Sequence, residues 1–418
     1  MAAKPLRLLH AANLRLDCPL QQFGTWSDNV RDLLETATFT AFDRLISVAL
    51  ERDVDALLIT GNSFDAAAAS LSAEVALRTG FGRLNERSIP VFVTPGRLDP
   101  AGAWHDLPNL PENVTLLSSA EDAPVDLVDR GRHLATLIPV TSETAVEPHE
   151  LENIFASRAA HASDRPFVIG LATPLRESQR ANLARFAALD WFACAAGDDV
   201  AANLPLTDGT INAQNGPQGL SINEAGPCGA TCLEVDAQRR IKQSFVPLGP
   251  VRWERITQSL DRVASRDDLL ERMMAAVERL ASPPGELLRI IHWKLDRTTG
   301  ETRGWEMEAA IQELVNSLTE LTDQPGGLRY IHQIQPLEPD LSLIEPAHRE
   351  LLTEFLLALD RRSPVERASM NKWLAEAHLG DVFKSSRWEQ WADTVAPEVI
   401  AERAQQLGWQ WFATIGKR

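Results

Sequence analysis

Cysteine and tyrosine are scarce in this chain, whose 418 residues include four cysteines and one tyrosine. The thiols are Cys18, Cys194, Cys228 and Cys232, and their spacing is not that of a metal knuckle. We therefore expect reduced thiols of a cytoplasmic protein rather than a disulfide framework. Cys228 and Cys232 leave a chelating or crosslinked pair open, beside the plainer interpretation that both pack within a strand.

Long apolar runs and basic residues are also in short supply. No run approaches the ~20 residues of a membrane span, and the N-terminus lacks the charged and apolar halves of a signal peptide, so we expect no membrane contact. The chain has 41 Lys and Arg against 58 Asp and Glu, a net charge of -17. This balance argues against a surface that grips nucleic acid throughout, although a local basic groove stays open.

What the chain does contain is a repeated pattern of apolar runs that end in glycine and polar residues. Residues 6–9 form the first run, which turns polar at Asn13, Arg15 and Asp17. The segments 55–65, 89–100 and 167–173 repeat the pattern. Because ligands of open α/β sheets gather just past the carboxyl ends of the strands, we expect these ends to surround one site.

The residues that follow these strands form specific short motifs. They read Asn13-Leu14-Arg15, Gly61-Asn62 and Gly96-Arg97-Leu98-Asp99, followed by Thr173 and by Ala195-Ala196-Gly197-Asp198. In this order they resemble the motifs of the calcineurin-like metallophosphoesterases, and most closely the branch of SbcD-like DNA-repair exonucleases. Matching frame residues are His10, Leu16, Asp17, Pro19, Phe64, Asp65, Pro95 and Pro100. The resemblance covers roughly residues 6–255 and is looser beyond.

The resemblance implies that the frame is kept while the family's two-metal site is lost. The altered positions are Asn13, Arg15, Asn62, Arg97, Leu98, Thr173, Ala196 and Asp198. Two asparagines stand where the family has aspartates, and the imidazole positions hold side chains that do not bind cations. A guanidinium repels a metal ion, and Asp198 alone keeps a ligand's chemistry. We therefore expect no metal cofactor, where the family would use two ions of the Mn or Mg type.

Fixed positive charge stands where the cations would have been. We expect Arg15 and Arg97 to point into the former metal pocket and to pair with carboxylates, with Asp99 and Asp198 as the leading candidates. A guanidinium fork also suits a pair of phosphate oxygens, so both arginines are candidate phosphate ligands. The alternative is that either side chain turns out to solvent.

The organisation of the chain follows from its changing pattern. The class is α/β (α+β): residues 1–250 alternate strands and helices, as in a four-layer αββα metallophosphoesterase-like sandwich. Residues 251–340 read as a small β-α-β-α-β capping domain. Residues 341–418 read as a helical module rich in tryptophan, which the resemblance assigns to docking an SbcC-like ATPase partner, with a local helical core as the alternative.

Two hypotheses of function remain. The first is a catalytically inactive homologue of an SbcD-like exonuclease that acts as a scaffold or regulatory subunit, with phosphate or DNA as candidate ligands. The second is an active metal-dependent phosphoesterase or exonuclease with a rebuilt site, for which the strand-end carboxylates Asp17, Asp65, Asp99, Asp198 and Asp199 are available.

Overall fold

A computed structural model gives the fold. It describes residues 5–20, 27–119, 122–129, 131–140, 167–172, 189–195, 203–205, 210–260, 263, 265–281, 283–296, 307–322, 327–335, 350–355 and 404. Among these residues no helix is both long and apolar enough to cross a bilayer.

The first sheet has six strands in the order β12-β11-β1-β2-β3-β4. Its strands are β1 (Leu6–Ala12), β2 (Ala56–Gly61), β3 (Val91–Pro95), β4 (Val114–Leu116), β11 (Gly229–Val235) and β12 (Ile241–Pro247). The strands β1 to β4 run parallel, and β11 and β12 extend the sheet antiparallel to β1 and to each other. The carboxyl ends of β1, β2 and β3 therefore lie side by side.

The second sheet also has six strands, in the order β5-β6-β7-β8-β10-β9. Its strands are β5 (Val125–Asp129), β6 (Arg132–Val140), β7 (Phe167–Ala172), β8 (Trp191–Ala195), β9 (Asn203–Pro205) and β10 (Thr210–Gln214). Strands β6, β7, β8 and β10 are parallel, and β5 and β9 are antiparallel edge strands. The β7 and β8 sequences are fully apolar because both faces are buried.

Helices α1 (Asp28–Glu51) and α2 (Leu71–Asn85) cover the outer face of the first sheet. The helix α1 buries residues at helical spacing, among them Leu34, Ala41 and Leu45. Ser70 caps α2, because its side chain accepts a hydrogen bond from the Ala73 N–H at 3.2 Å. A short helix, α3 (Ala101–His105), follows Pro100 in a region where the sequence favours a loop.

The two sheets face each other across an apolar core. Leu8, Leu58 and Phe92 of the first sheet pack with apolar side chains of the second, including Ile169 and Trp191. Burial of one such side chain contributes roughly 1.5–3 kcal/mol. His10 is a buried polar side chain beside this core. Its Nδ1 lies 2.8 Å from Asn212 Oδ1 and its Nε2 lies 2.9 Å from Thr60 Oγ1.

The remaining elements form a third sheet with two helices. Strands β13 (Val251–Ser259), β14 (Leu288–Asp296) and β15 (Arg329–Gln335) alternate with α4 (Arg266–Glu278) and α5 (Met307–Thr322). This is the predicted β-α-β-α-β order. The chain divides into two compact units, Met1–Ile256 with Met274–His292 and Ser317–Gln333, and Thr257–Met273 with Trp293–Asn316 and Ile334–Arg418.

The predicted α/β class is confirmed by these sheets and their helices. The sequence pattern also favours helices at residues 147–157 and 177–188, and both lie outside the described residues. Of the predicted C-terminal helical module, residues 350–355 and 404 are described, and all of them are helical. Within that piece Leu352 is buried and Leu351 is exposed. The division into 1–250, 251–340 and 341–418 stays a prediction.

Candidate functional site

The loops that follow β1 and β2 are joined by backbone hydrogen bonds. The N–H groups of Asn13 and Arg15 donate to the carbonyl oxygens of Thr60 and Asn62 at 2.9 and 3.2 Å. Leu16 N–H donates to Ser63 O at 3.0 Å. Asn13 and Arg15 both adopt left-handed backbone conformations, with φ of 48° and 46°. The ends of β1 and β2 therefore meet, in a loop held in a conformation that non-glycine residues adopt at some cost.

The two asparagines at the family's aspartate positions tie the three loops together. Asn13 Oδ1 accepts a hydrogen bond from the Asn62 N–H at 3.1 Å. Asn62 Oδ1 in turn accepts one from the Leu98 N–H at 2.9 Å. Each amide oxygen thus links one strand end to the next by bonding a loop N–H, which a neutral acceptor does without introducing charge.

Two glycines make this close approach sterically feasible. A Cβ placed on Gly61 would lie 2.5 Å from Asn13 Oδ1 and 2.6 Å from Ala195 Cβ. A Cβ placed on Gly96 would lie 2.3 Å from Asn62 Oδ1. Any larger residue at either position would separate the loops. The close approach of Gly61 to Ala195 also places the end of β8 beside the end of β2.

Asp99 is buried and fully engaged by N–H donors. Its Oδ1 accepts from the Gly96 N–H at 2.7 Å, and its Oδ2 accepts from the Ser63 N–H at 2.9 Å and from Trp104 Nε1 at 3.0 Å. Burial raises the pKa of Asp99 to about 6, against the opposing effect of these donors. The carboxylate thus organises the turn after β3.

Arg15 pairs with a residue that the sequence did not single out. Its Nη1 and Nη2 donate to Glu224 Oε1 and Oε2 at 2.6 and 2.9 Å, which is a fork-to-fork pair. The pKa of Arg15 is raised, because the hydrogen bonds and charge of Glu224 outweigh desolvation by burial. The expectation that Asp99 would be the partner of Arg15 is wrong. Asp99 already accepts three N–H groups, and Glu224 reaches the guanidinium from the segment before β11.

Arg97 and Leu98 behave differently from one another. The Arg97 side chain is exposed and has no hydrogen-bond or ion-pair partner within the described parts of the chain. It therefore takes the alternative arrangement, turned towards solvent. Leu98 is half-buried and contributes its backbone N–H to Asn62 and its carbonyl to the Ala66 N–H.

The frame carboxylate Asp17 also has a structural role. Both of its oxygens accept the Asp65 N–H, at 3.0 and 3.1 Å. Burial raises the pKa of Asp17, and the nearby Asp65 charge adds to the effect.

The two cysteines near this loop are protonated thiols at neutral pH. Burial raises the pKa of Cys18 to about 11 and that of Cys228 to about 12.

Three predicted site residues, Thr173, Ala196 and Asp198, lie outside the described residues. The strands that precede them in the sequence, β7 and β8, end at Ala172 and Ala195. Thr173 and Ala196 are therefore each the next residue after a strand end. An ion pair between an arginine and Asp198 stays a prediction.

The described side chains do not suit a divalent cation pair. No group of three His, Cys, Asp or Glu residues with metal-binding geometry occurs in the part of the chain that the structure covers. At the strand ends, Asn13 Oδ1 and Asn62 Oδ1 each accept a loop N–H, and Arg15 belongs to the same loop as Asn13. Two-metal sites need ionised carboxylates and imidazoles with free lone pairs, which these residues do not supply.

Sequence reasoning missed Glu224 and Gln218. The only signal in the sequence is that residues 215–229 also resemble the exonuclease branch, which favours a place near the site. Arg239 and Arg240 lie in the connection between β11 and β12, and Lys242 lies in β12. Their side chains pair with Asp190, Asp236 and Glu234.

Comparison with known proteins connects this chain to the metallophosphoesterases. It is 31% identical over 166 residues to a Bacillus subtilis protein described as the uncharacterized metallophosphoesterase YhaO. The alignment covers 40% of this chain and 40% of that relative. No family model matches. Over the aligned part, this chain is therefore similar to a protein described as a metallophosphoesterase.

Solved structures give weaker similarities. TT1561 of Thermus thermophilus has a TM-score of 0.35 at 13% identity, covering 58% of this chain and 99% of that one. A dimetal phosphatase from Danio rerio has a TM-score of 0.34 at 10% identity, with 59% and 97% covered. The NAD nucleotidase of Haemophilus influenzae has a TM-score of 0.38 at 10% identity, with 78% and 62% covered.

Proposed function

We propose that this protein is a catalytically inactive homologue of the SbcD-like exonucleases that acts as a scaffold or regulatory subunit. The observation that carries the proposal is the use of Asn13 and Asn62, whose side-chain oxygens bond loop N–H groups. In a two-metal enzyme the cations hold the strand ends together and activate water. Here neutral hydrogen bonds hold them together without a cation.

The charge at the site supports the same proposal. Arg15 follows Asn13 by two residues, its backbone N–H donates to Asn62 O at 3.2 Å, and its charge is balanced by Glu224 at 2.6 Å. A divalent cation bound at this loop would meet a fixed positive charge. Because the charge of the loop is already compensated, a metal ion gains little there and is repelled by Arg15.

The partners follow from the resemblance and from the open arginine. An SbcC-like ATPase is the proposed partner of the C-terminal module at 341–418. DNA or another phosphate-bearing ligand is the proposed ligand of the strand-end surface. Glu224 occupies the Arg15 fork, whereas Arg97 is exposed and has a free fork within the described parts of the chain, so Arg97 is the better placed of the two candidate arginines.

Metal analysis and a nuclease assay test the proposal. Protein purified without chelator should contain far less than two equivalents of Mn or Zn, and should not cleave DNA or a simple phosphodiester in manganese. The Asn13→Asp, Asn62→Asp double variant should stay inactive, because Arg15 remains and catalytic groups act as a unit.

The opposite result would favour a phosphoesterase with a rebuilt site. That result is two metal equivalents per chain, with manganese-dependent cleavage that Asp198→Ala abolishes. Asp198 is a better probe than Asp99, because replacing Asp99 removes an acceptor of three N–H groups and would disturb the fold by itself.

A further inference from the structure

The Glu224 carboxylate is surrounded by donors in the way that a bound oxyanion would be. Its Oε1 accepts from Arg15 Nη1 at 2.6 Å, and its Oε2 accepts from Arg15 Nη2 at 2.9 Å and from the Leu220 N–H at 2.7 Å. A guanidinium fork suits a carboxylate and a pair of phosphate oxygens equally well. We call these three donors the anion cradle. The side chains of Arg15 and Glu224 are 16% and 23% exposed, so solvent reaches it.

The backbone donor of the cradle is fixed by neutral, buried bonds. The Gln218 side chain accepts the Val251 N–H at 3.1 Å and donates to the Val251 carbonyl at 2.8 Å. Trp253 Nε1 donates to Gly219 O at 2.9 Å. Leu220 follows these anchored residues directly in the sequence. Its N–H therefore keeps its place when the carboxylate is removed.

The guanidinium of the cradle is also fixed by groups other than Glu224. Arg15 Nη2 donates to Gln218 O at 3.4 Å, and a Cβ on Gly216 would lie only 2.8 Å from this nitrogen. The Arg15 backbone N–H donates to Asn62 O at 3.2 Å. Arg15 Nε is buried and has no acceptor within the described parts of the chain. The charge of this preorganised fork is therefore balanced by the Glu224 carboxylate.

Truncation of Glu224 would leave a partly buried positive charge beside a cavity with three donors. A charge in this position is costly until an anion pairs with it. The change Glu224→Ala removes a CH₂–COO⁻ group, which acetate reproduces in size and charge. Phosphate and sulfate present a similar pair of oxygens to a guanidinium fork. Small oxyanions are therefore the class of ligand that the empty cradle would bind.

We propose that Glu224 is an internal anion: its carboxylate occupies an oxyanion site formed by Arg15 and the Leu220 N–H, and so excludes phosphate groups from Arg15. Glu224 then determines which arginine of the strand ends is available to a phosphate-bearing ligand, and leaves Arg97. This role rests on the proposed function in one respect, since without metal ions a phosphate at the strand ends has only cationic side chains and N–H groups to bind.

A titration with inorganic phosphate tests this role of Glu224. The full-length Arg97→Ala protein is compared with the Arg97→Ala, Glu224→Ala protein, both in the presence of a chelator. The first change removes the exposed arginine and the chelator removes metal-bound phosphate, so the difference reports on Arg15. We expect phosphate to bind about tenfold more tightly to the protein that lacks Glu224, and the further change Arg15→Ala to abolish the gain. Equal affinities with and without Glu224 would overturn the proposal.

Stabilisation by acetate is a second measurement, and it applies even to a variant of low stability. An anion that binds the folded state raises the midpoint of denaturant unfolding as its concentration increases. Acetate should therefore raise the midpoint of Glu224→Ala relative to chloride at the same ionic strength, and leave the wild type unchanged. Metal content measured without chelator decides the proposed function separately.

Glu234→Ala is the matched control for the acetate series. The Glu234 carboxylate lies 3.2 Å from Arg7 Nε and 3.7 Å from Lys242 Nζ, and among the described residues no backbone N–H donates to it. Its removal leaves positive charge without a fixed cradle, so acetate should not stabilise this variant. An equal response of Glu224→Ala and Glu234→Ala would show a general salt effect only, and would overturn the proposal.

Discussion

Two arginine–glutamate pairs in this protein are both bidentate but lie in different surroundings. Arg289 in β14 donates through Nε and Nη2 to Glu286 at 2.6 and 2.9 Å, and Arg15 at the strand ends donates through Nη1 and Nη2 to Glu224 at the same two distances. The side chains of Arg289 and Glu286 are 0% and 2% exposed, against 16% and 23% for the strand-end pair.

The surroundings of the two pairs give them different roles. Arg289 also donates to Ala281 O at 2.8 Å and lies 5.8 Å from the centre of the Tyr330 ring. Its partner is three residues away, whereas Arg15 and Glu224 are 209 residues apart. The buried local pair is a fixed part of the third sheet. The partly exposed long-range pair joins two segments that are distant in the sequence.

Removal of the buried partner should give the largest effect. In Glu286→Ala the Arg289 charge is left buried, and we expect a loss of about 3–5 kcal/mol in the free energy of unfolding. Glu224→Ala should cost only about 1–2 kcal/mol, because solvent reaches Arg15. Denaturant unfolding measures both. The double variant Arg289→Met, Glu286→Leu is the control and should be close to wild type. Equal costs for the two single variants would remove the distinction between the pairs.

His10 extends the comparison to an interior group that titrates. Burial lowers the pKa of His10 to about 4, below its ordinary value of 6.5. The folded state therefore binds fewer protons than the unfolded state between these values, so His10 contributes stability that is present above pH 6.5 and lost as the pH falls towards 4. The loss is about 3 kcal/mol at pH 4.

Denaturant unfolding of the wild type and of His10→Gln at several pH values measures the contribution of His10 to the free energy of unfolding. Asp99 acts in the opposite direction, because its raised pKa favours the folded state as the pH falls below about 6. Asp99 is present in both proteins, so their difference in stability isolates His10. We expect the wild type to lose more stability than the variant between pH 6.5 and 4. Parallel pH profiles would show that the pKa of His10 is the same in the folded and unfolded states.

The sequence was informative where the determining contacts are local. The β-α-β-α-β order within residues 251–340 was predicted from apolar runs and helical spacing, and the strands and helices of the third sheet follow it. The polar turn after β1 and β2 was also visible, since Asn13 and Asn62 each follow their own strand directly. Apolar runs and capping residues are properties of a short window.

The sequence failed where partners come from distant segments. Glu224 reaches Arg15 across 209 positions, and Asn212 reaches His10 across 202. Neither contact has a signal in either segment alone, because the topology of both sheets must be known first. Asp99 was expected to pair with an arginine, but its location inside a tight turn, among three N–H donors, decides its role.

Asn62 provides a smaller and sharper test at the strand ends. Asn62→Ala removes the acceptor of the Leu98 N–H and should cost about 1–2 kcal/mol in the free energy of unfolding. Asn62→Asp keeps an acceptor oxygen and should cost less than about 1 kcal/mol. Added Mn²⁺ should stabilise neither variant. A melting temperature of Asn62→Asp that rises with Mn²⁺ would show that one carboxylate suffices to restore a metal site.

Arg97 should have the smallest effect on stability and a selective effect on binding. It is exposed and makes no ion pair among the described residues, so Arg97→Ala should change the free energy of unfolding by less than about 0.5 kcal/mol.

The same change should weaken binding of inorganic phosphate or single-stranded DNA to the strand ends about fivefold or more, since a guanidinium bond to phosphate is charge-assisted. Arg97→Lys should keep part of the affinity, because the charge stays and the fork is lost. Arg31→Ala, on the exposed face of α1, is the control for net charge. Equal affinities for Arg97→Ala and Arg31→Ala would mean that Arg97 is not a phosphate ligand. The strand ends would then differ from the buried Arg289–Glu286 pair in solvent exposure alone.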